Sequence, residues 1–189
     1  MRHLATGVPE VFVADVRGSA RPFVGSAVAI TVAGFVAVLT HQPGLFPSLG
    51  PAVMLHVEKP RAPESSPRNT LIGHAVAILA GYAFLAVCGL TGHPPALQEG
   101  VSVPRVVAAA GSLAVTVLAL LLLKASHPPA GATTLIVSLG LLRTPSQLLI
   151  AIGAVVLVIA VDWAFNRATG QDMPVWSAPA PQAEEARHG

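Results

Sequence analysis

Residues 125–142 read "ASHPPAGATTLIVSLGLL": a histidine, two prolines and a glycine stand directly against a leucine-rich run. In lipid every backbone N–H and C=O must be paired within the protein, so an irregular backbone is tolerated at membrane depth only where protein buries it or water reaches it. Whether this stretch lies in a membrane therefore decides the fold, and composition answers the question. The chain has 189 residues, 53% hydrophobic and 11% charged, with a mean hydropathy of +0.67; soluble domains carry about 25% charged residues. A hydrocarbon core about 30 Å thick needs roughly 20 apolar residues at about 1.5 Å each, and several windows approach that length. The expected class is all-α, a polytopic membrane helical bundle.

Working outward, "RPFVGSAVAITVAGFVAVLTHQ" predicts a spanning helix over roughly 22–41, with Pro22 in the first turn, where its missing N–H costs nothing. "PGLFPSLGPAVMLHV" (43–57) is short and broken by proline. After a polar loop, "TLIGHAVAILAGYAFLAVCGL" (70–90) is a second full span, with Ser66 before Pro67 as its start signal. "PRVVAAAGSLAVTVLALLLLK" (104–124) follows with Ser102 as a cap. The last span, "SQLLIAIGAVVLVIAVDWAFNR" (146–167), starts at Thr144 and Pro145. Residues 1–20 form a mixed-charge cytoplasmic lead with room for a short interfacial helix, and 21–168 the membrane domain. The polar tail, 169–189, is Pro-, Ala- and Glu-rich from about 174 and is expected to be disordered.

The two halves resemble one another. Pro47 and Gly50 recur as Pro128 and Gly131, each 81 residues on, and the same offset sets Tyr82-Ala83-Phe84 on Trp163-Ala164-Phe165. The order long, short, long is shared by repeats 21–84 and 102–165. If both short, proline-initiated segments cross, the chain makes six crossings and the three-helix repeats are inverted, as in many secondary transporters. With both termini cytoplasmic, this puts Arg17, Arg21, Lys59, Arg61, Arg68, Lys124 and Arg167 inside and only Arg105 and Arg143 outside. Re-entrant short segments would send Lys59, Arg61, Arg68 and Lys124 outward, against the positive-inside tendency.

Several function classes fall away. A net charge of +2 with scattered basic residues leaves no footprint for nucleic acid. The lone Cys88 excludes an intramolecular disulfide and a cysteine metal cluster. His41 and His56, on either side of a broken helix, have poor metal spacing. No HExxH, nucleophile–base pair or carboxylate cluster marks an enzyme, so neither metal nor cofactor is expected. The first apolar run is too long for a cleaved signal peptide and reads as a retained anchor.

A helix N-terminus carries about half a positive charge and free N–H donors, a ready anion site. In the opening stretch Ser126 can cap the following helix, with Pro128 and Pro129 in its first turn. Gly131 admits a close neighbour, His127 can donate or change charge near neutral pH, and Thr133 and Thr134 supply hydroxyls. Its repeat mate offers Ser48 and Gly50 from the opposite side. His74, about two turns into a spanning helix, is a functional suspect by depth or an interhelical hydrogen-bonding group. Arg68 and Asn69 either attract anions to the cytoplasmic mouth or meet lipid headgroups. Asp162 reads as an interfacial anchor paired with Arg167. Helix packing by small residues is the competing account of both proline–glycine segments.

At these residues the chain resembles the HPP family of integral membrane proteins, named for its His-Pro-Pro motif. Three blocks carry the likeness in order: "SLGPAVML" (48–55), "SPRNTLIGHAVAILAG" (66–81) and "SHPPAGATTLI" (126–136). The resemblance implies nitrite transport, known for cyanobacterial and chloroplast members, and is usually described with four spanning helices, a count that passes over short segments. "GHPPAL" (92–97) repeats the motif with no hydrophobic helix directly after it and reads as a loop turn.

Two functions compete on this reading. One is a transporter or channel for a small monovalent anion in a bacterial cytoplasmic membrane, with lipid as its surroundings and a homodimer as one possible assembly. The other is a non-transporting intramembrane binding or regulatory subunit of another membrane protein.

Overall fold

The structure, a computed structural model, describes residues 16–178. All regular structure among them is helical: α1 (Val16–Thr40), α2 (Leu49–Glu58), α3 (Pro67–Val87), the short α4 (Ala96–Glu99), α5 (Val103–Leu122), α6 (Ala130–Ser138) and α7 (Pro145–Ala168), with one 3₁₀ turn at Pro63–Ser65. Four of these, α1, α3, α5 and α7, are long and apolar enough to cross a membrane.

The starts of the long helices follow their local chemistry. The Ser66 hydroxyl accepts the Asn69 N–H at 3.3 Å, with Pro67 at the first helical position. At α7, Thr144 and Gln147 form a capping box, the Gln147 N–H on Thr144 Oγ1 at 3.3 Å and the Thr144 N–H on Gln147 Oε1 at 3.2 Å. Ser102 occupies the cap position of α5, but its hydroxyl makes no capping bond.

Side chains tie the helix ends into two groups at opposite ends of the bundle. At one end, Arg21 from α1 reaches Asn166 Oδ1 of α7 at 2.9 Å and the Val57 carbonyl of α2. There, too, Arg68 of α3 donates to the carbonyls of Leu123 and Lys124 just beyond α5, each at 3.2 Å. At the other end, Arg105 of α5 donates to the Leu139 carbonyl after α6 at 3.1 Å and to the Pro94 carbonyl, and Arg143 before α7 donates to the His93 carbonyl. Gly44 lies against Ala37 and Leu45 against Gly34, so the non-helical residues after α1 double back along it before α2 begins. The offset of 81 holds for the elements: α2 starts at Leu49 and α6 at Ala130, and α3 ends at Val87 and α7 at Ala168.

The main apolar core joins α1, α2 and α7 through Ala29, Ala33, Val53, Val57, Val155 and Val158. α3 runs through the middle and packs against α5, α6 and α7. Outward-facing Phe35, Leu39, Leu121 and Leu122 are exposed, as lipid-facing positions of a membrane bundle must be.

Four expectations change here. α1 begins at Val16, so Pro22 stands inside the helix and not in its first turn. The described part of the tail, 169–178, is not loose: Met173 is buried and the Arg68 N–H bonds the Trp176 carbonyl at 2.9 Å; the rest of the tail, and residues 1–15 of the lead, lie outside the described residues. Asp162 does not pair with Arg167, which instead meets Asp172 at 3.4 Å and lies over the Trp163 ring. The second His-Pro-Pro runs into the helical turn α4, whose Ala96 N–H bonds the Leu139 carbonyl at 3.0 Å.

Candidate functional site

The interior holds a connected set of polar side chains. It begins where the starts of α2 and α6 meet: Thr133 Oγ1 donates to Ser48 Oγ at 2.7 Å, and both residues are fully buried. Thr133 Oγ1 also meets His74 Nδ1 at 2.7 Å, and His74 Nε2 faces His127 Nε2 at 3.3 Å. His127 turns its Nδ1 to the Glu64 carbonyl at 2.8 Å, with Thr70 Oγ1 more distant at 3.5 Å. Thr70 Oγ1 is 2.9 Å from His56 Nε2, and His56 Nδ1 is 2.7 Å from Asp162 Oδ2. Seven side chains from α2, α3, α6, α7 and the 126–129 turn thus form one chain of contacts, from Ser48 inside the bundle to Asp162, one helical turn before Asn166 and its Arg21 partner.

Local sequence explains the close approach. A Cβ on Gly73 would stand 2.9 Å from His127 Cβ, so only glycine lets the His127 turn lie on α3. His74, the next residue, then faces the same ring with centroids 5.1 Å apart in an edge-on arrangement. Thr134 bonds Thr116 Oγ1 of α5 at 3.0 Å and its own Ala130 carbonyl at 3.1 Å, so it braces α6 instead of facing Ser48.

The twelve residues singled out from the sequence divide clearly. Ser48, His74, His127 and Thr133 come together in the buried chain. Asn69 is buried beside it and its Nδ2 donates to the Ser126 carbonyl at 3.3 Å. Arg68 reaches the Asn69 Oδ1 at 2.9 Å and the carbonyls beyond α5, so it closes a helix end. Ser126 is exposed and caps nothing: α6 begins at Ala130 with Pro129 in the cap position, so both prolines precede the helix. The N–H groups of Ala130, Gly131 and Ala132 bond the carbonyls of His127, Pro128 and Pro129 at 3.0, 3.0 and 3.2 Å. The donors expected to be free for an anion are therefore used by a tight turn, and hydroxyl and imidazole groups remain as the polar lining. Gly50 has open space where a side chain would stand. Gly131 and Pro128 line a cavity of about 270 Å³ that also touches Leu113, Thr116, Ser126 and His127.

Sequence reasoning missed three members. His56 was weighed only as a metal ligand, Asp162 as an anchor, and Thr70 not at all. The signal was present for two of them: a histidine and an aspartate within apolar runs are functional suspects by depth. Asp162 Oδ1, Trp163 Nε1 and Arg105 Nε are buried without a hydrogen-bond partner among the described residues. No group of three or more His, Cys, Asp or Glu among the described residues is arranged to hold a metal.

Apolar helices around a buried polar chain define an integral membrane protein of the polytopic helical class. The family described as "HPP, transmembrane region" matches residues 13–174, and the chain belongs to it. No curated protein and no solved structure matches it.

Proposed function

We propose that this protein moves a small monovalent anion, of which nitrite is the model, across a bacterial cytoplasmic membrane. The observation that carries the reading is the Thr133–Ser48 contact, where the starts of the two broken segments meet inside the bundle. Hydroxyls and imidazole N–H groups on rigid helix starts suit a small, weakly hydrated anion, and the positive ends of the α2 and α6 dipoles add a favourable field.

The same reading takes the chain through the membrane six times as two inverted repeats. In each short segment a non-helical half and a half-helix together make the crossing, which answers the objection that ten residues of helix rise only about 15 Å. The grouping of helix ends supports it, with the end bearing Arg21, Lys59, Arg61, Arg68, Lys124 and Arg167 on the cytoplasmic side.

Protein reconstituted in liposomes is expected to pass nitrite faster than protein-free liposomes, and Thr133→Val to slow that flux severalfold while the fold is kept. Equal flux through protein-containing and empty liposomes overturns the reading.

A further inference from the structure

The hydrogen-bond partners of His74 and His127 dictate where their hydrogens sit. His127 Nδ1 lies 2.8 Å from the Glu64 carbonyl oxygen, which can only accept, so this nitrogen carries a hydrogen. The single hydroxyl hydrogen of Thr133 is directed at Ser48 Oγ, so the 2.7 Å contact between Thr133 and His74 Nδ1 is donated by the imidazole. Both Nδ1 atoms are thus protonated. In neutral rings the two Nε2 atoms, 3.3 Å apart, would then face each other with two lone pairs and no hydrogen. One added proton turns that opposition into an imidazolium–imidazole hydrogen bond. Without it, Thr133 must turn its hydroxyl hydrogen onto His74 Nδ1 and receive one from Ser48 instead, so that His74 Nε2 carries the hydrogen between the two rings.

With an anion bound, charge points the same way. The groups facing the pair are His56 from α2, with its ring 6.3 Å from that of His127, and Asp162 from α7, already held by His56. From the 3₁₀ turn Glu64 presents its carbonyl, from α3 Arg68 is turned to the Leu123 and Lys124 carbonyls, and Thr116 of α5 meets Thr134. No lysine or arginine side chain bonds Ser48, Thr133, His74 or His127 among the described residues. An anion received there would be a buried charge without a partner, which is strongly unfavourable. An anion that draws both hydroxyl hydrogens also forces His74 Nδ1 to donate, and so leaves the Nε2 pair needing its proton.

We propose that His74 and His127 form a proton-binding site, and that each anion seated at Ser48 and Thr133 is accompanied by one proton taken from water and shared between the two Nε2 atoms. The anion half rests on the function proposed above; the proton site rests on His74 Nδ1 being the donor to Thr133.

The test uses the full chain in lipid nanodiscs, labelled with ¹⁵N-histidine, and sodium nitrite as the probe. At pH 7, nitrite is expected to move the Nε2 signals of His74 and His127 to the imidazolium region and to draw about one proton per anion from a weakly buffered solution containing an indicator dye. The apparent Kd should rise about tenfold per pH unit once the proton must be recruited. His127→Asn, which keeps a donor for Glu64, and His74→Gln, which keeps one for Thr133, should abolish the uptake; His93→Gln, in a loop, should not. Nitrite bound with no proton uptake overturns the proposal and leaves anion binding standing. If no nitrite binds, the anion reading fails, and the proton site is judged from the same signals between pH 5 and 8: a shared Nε2 proton supports it, and an unprotonated His74 Nδ1 throughout overturns it.

Discussion

At the scale of single residues, the most consequential contact is His56 with Asp162, two ionisable side chains with no exposed surface joined at 2.7 Å. Removing one member of a buried pair leaves the other uncompensated, at a cost of about 3–5 kcal/mol. His56→Ala should therefore lower the thermal unfolding midpoint in detergent far more than Asp162→Asn, which keeps an acceptor for the His56 N–H and should cost about 1 kcal/mol; equal midpoints for the two variants would contradict the pairing. The pair spans 106 positions, and no local pattern in one sequence connects residues so far apart. His74, His127, Thr133 and Ser48 were legible because each belongs to a helix start or sits at suspicious depth. Outside the membrane, Glu99 accepts a hydrogen bond from His93 and contacts Arg105, and these partners hold its carboxyl below the ordinary range. A depressed carboxyl contributes stability that is present above the unfolded value and lost as pH falls through the folded one. Protection of the hydrogen-bonded amides of Ala96, Gln98 and Glu99, corrected for the intrinsic exchange rate, should therefore hold at neutral pH and fall below about pH 4, and Glu99→Gln should remove that pH dependence.

At the scale of elements, α3, α5 and α7 were readable to within a few residues because capping chemistry is local: Ser66 before Pro67, and Thr144 with Gln147; the start of α1, six residues before the expected one, was not. The short ones were readable as broken segments, but their first residues were not. α6 begins after both prolines because the chain first closes a tight turn through the His127, Pro128 and Pro129 carbonyls, a choice made by packing on Gly73 and not by propensity. The close approach of α3 and α6 has a second cause in Gly81, where a Cβ would stand 2.8 Å from Val137 Cβ and 2.9 Å from the Thr134 carbonyl oxygen. That oxygen belongs to the backbone and cannot swing aside, so α6 itself must move. Gly81→Ala is expected to destabilise the protein by about 1–3 kcal/mol, the usual penalty of overpacking, and to weaken the Thr116–Thr134 link; Gly153→Ala, where nothing stands within 4 Å, should be neutral or slightly stabilising by the same unfolding measurement.

At the scale of the whole molecule, each half carries an arginine near the start of its first long helix that donates to a carbonyl at the end of its own short helix. Arg21 takes the Val57 carbonyl and Arg105 the Leu139 carbonyl. The two contacts stand at opposite ends of the bundle, as the proposed inverted duplication requires. The duplicated order was legible in the sequence; the arginine clamp was not, because Arg21 and Arg105 are 84 residues apart and a fixed offset of 81 does not align them. Membrane sidedness tests the arrangement directly. In a Cys88→Ser background, Lys59→Cys and Gln98→Cys each put one thiol at an exposed position outside the long helices, the first just after α2 and the second in α4. A membrane-impermeant maleimide should label Gln98→Cys in intact cells and Lys59→Cys only in inverted vesicles. The reverse pattern, Lys59→Cys labelled in intact cells and Gln98→Cys only in inverted vesicles, would mean for a cytoplasmic N-terminus that the short segments turn back without crossing, and the paired helix starts would no longer approach the interior from opposite faces.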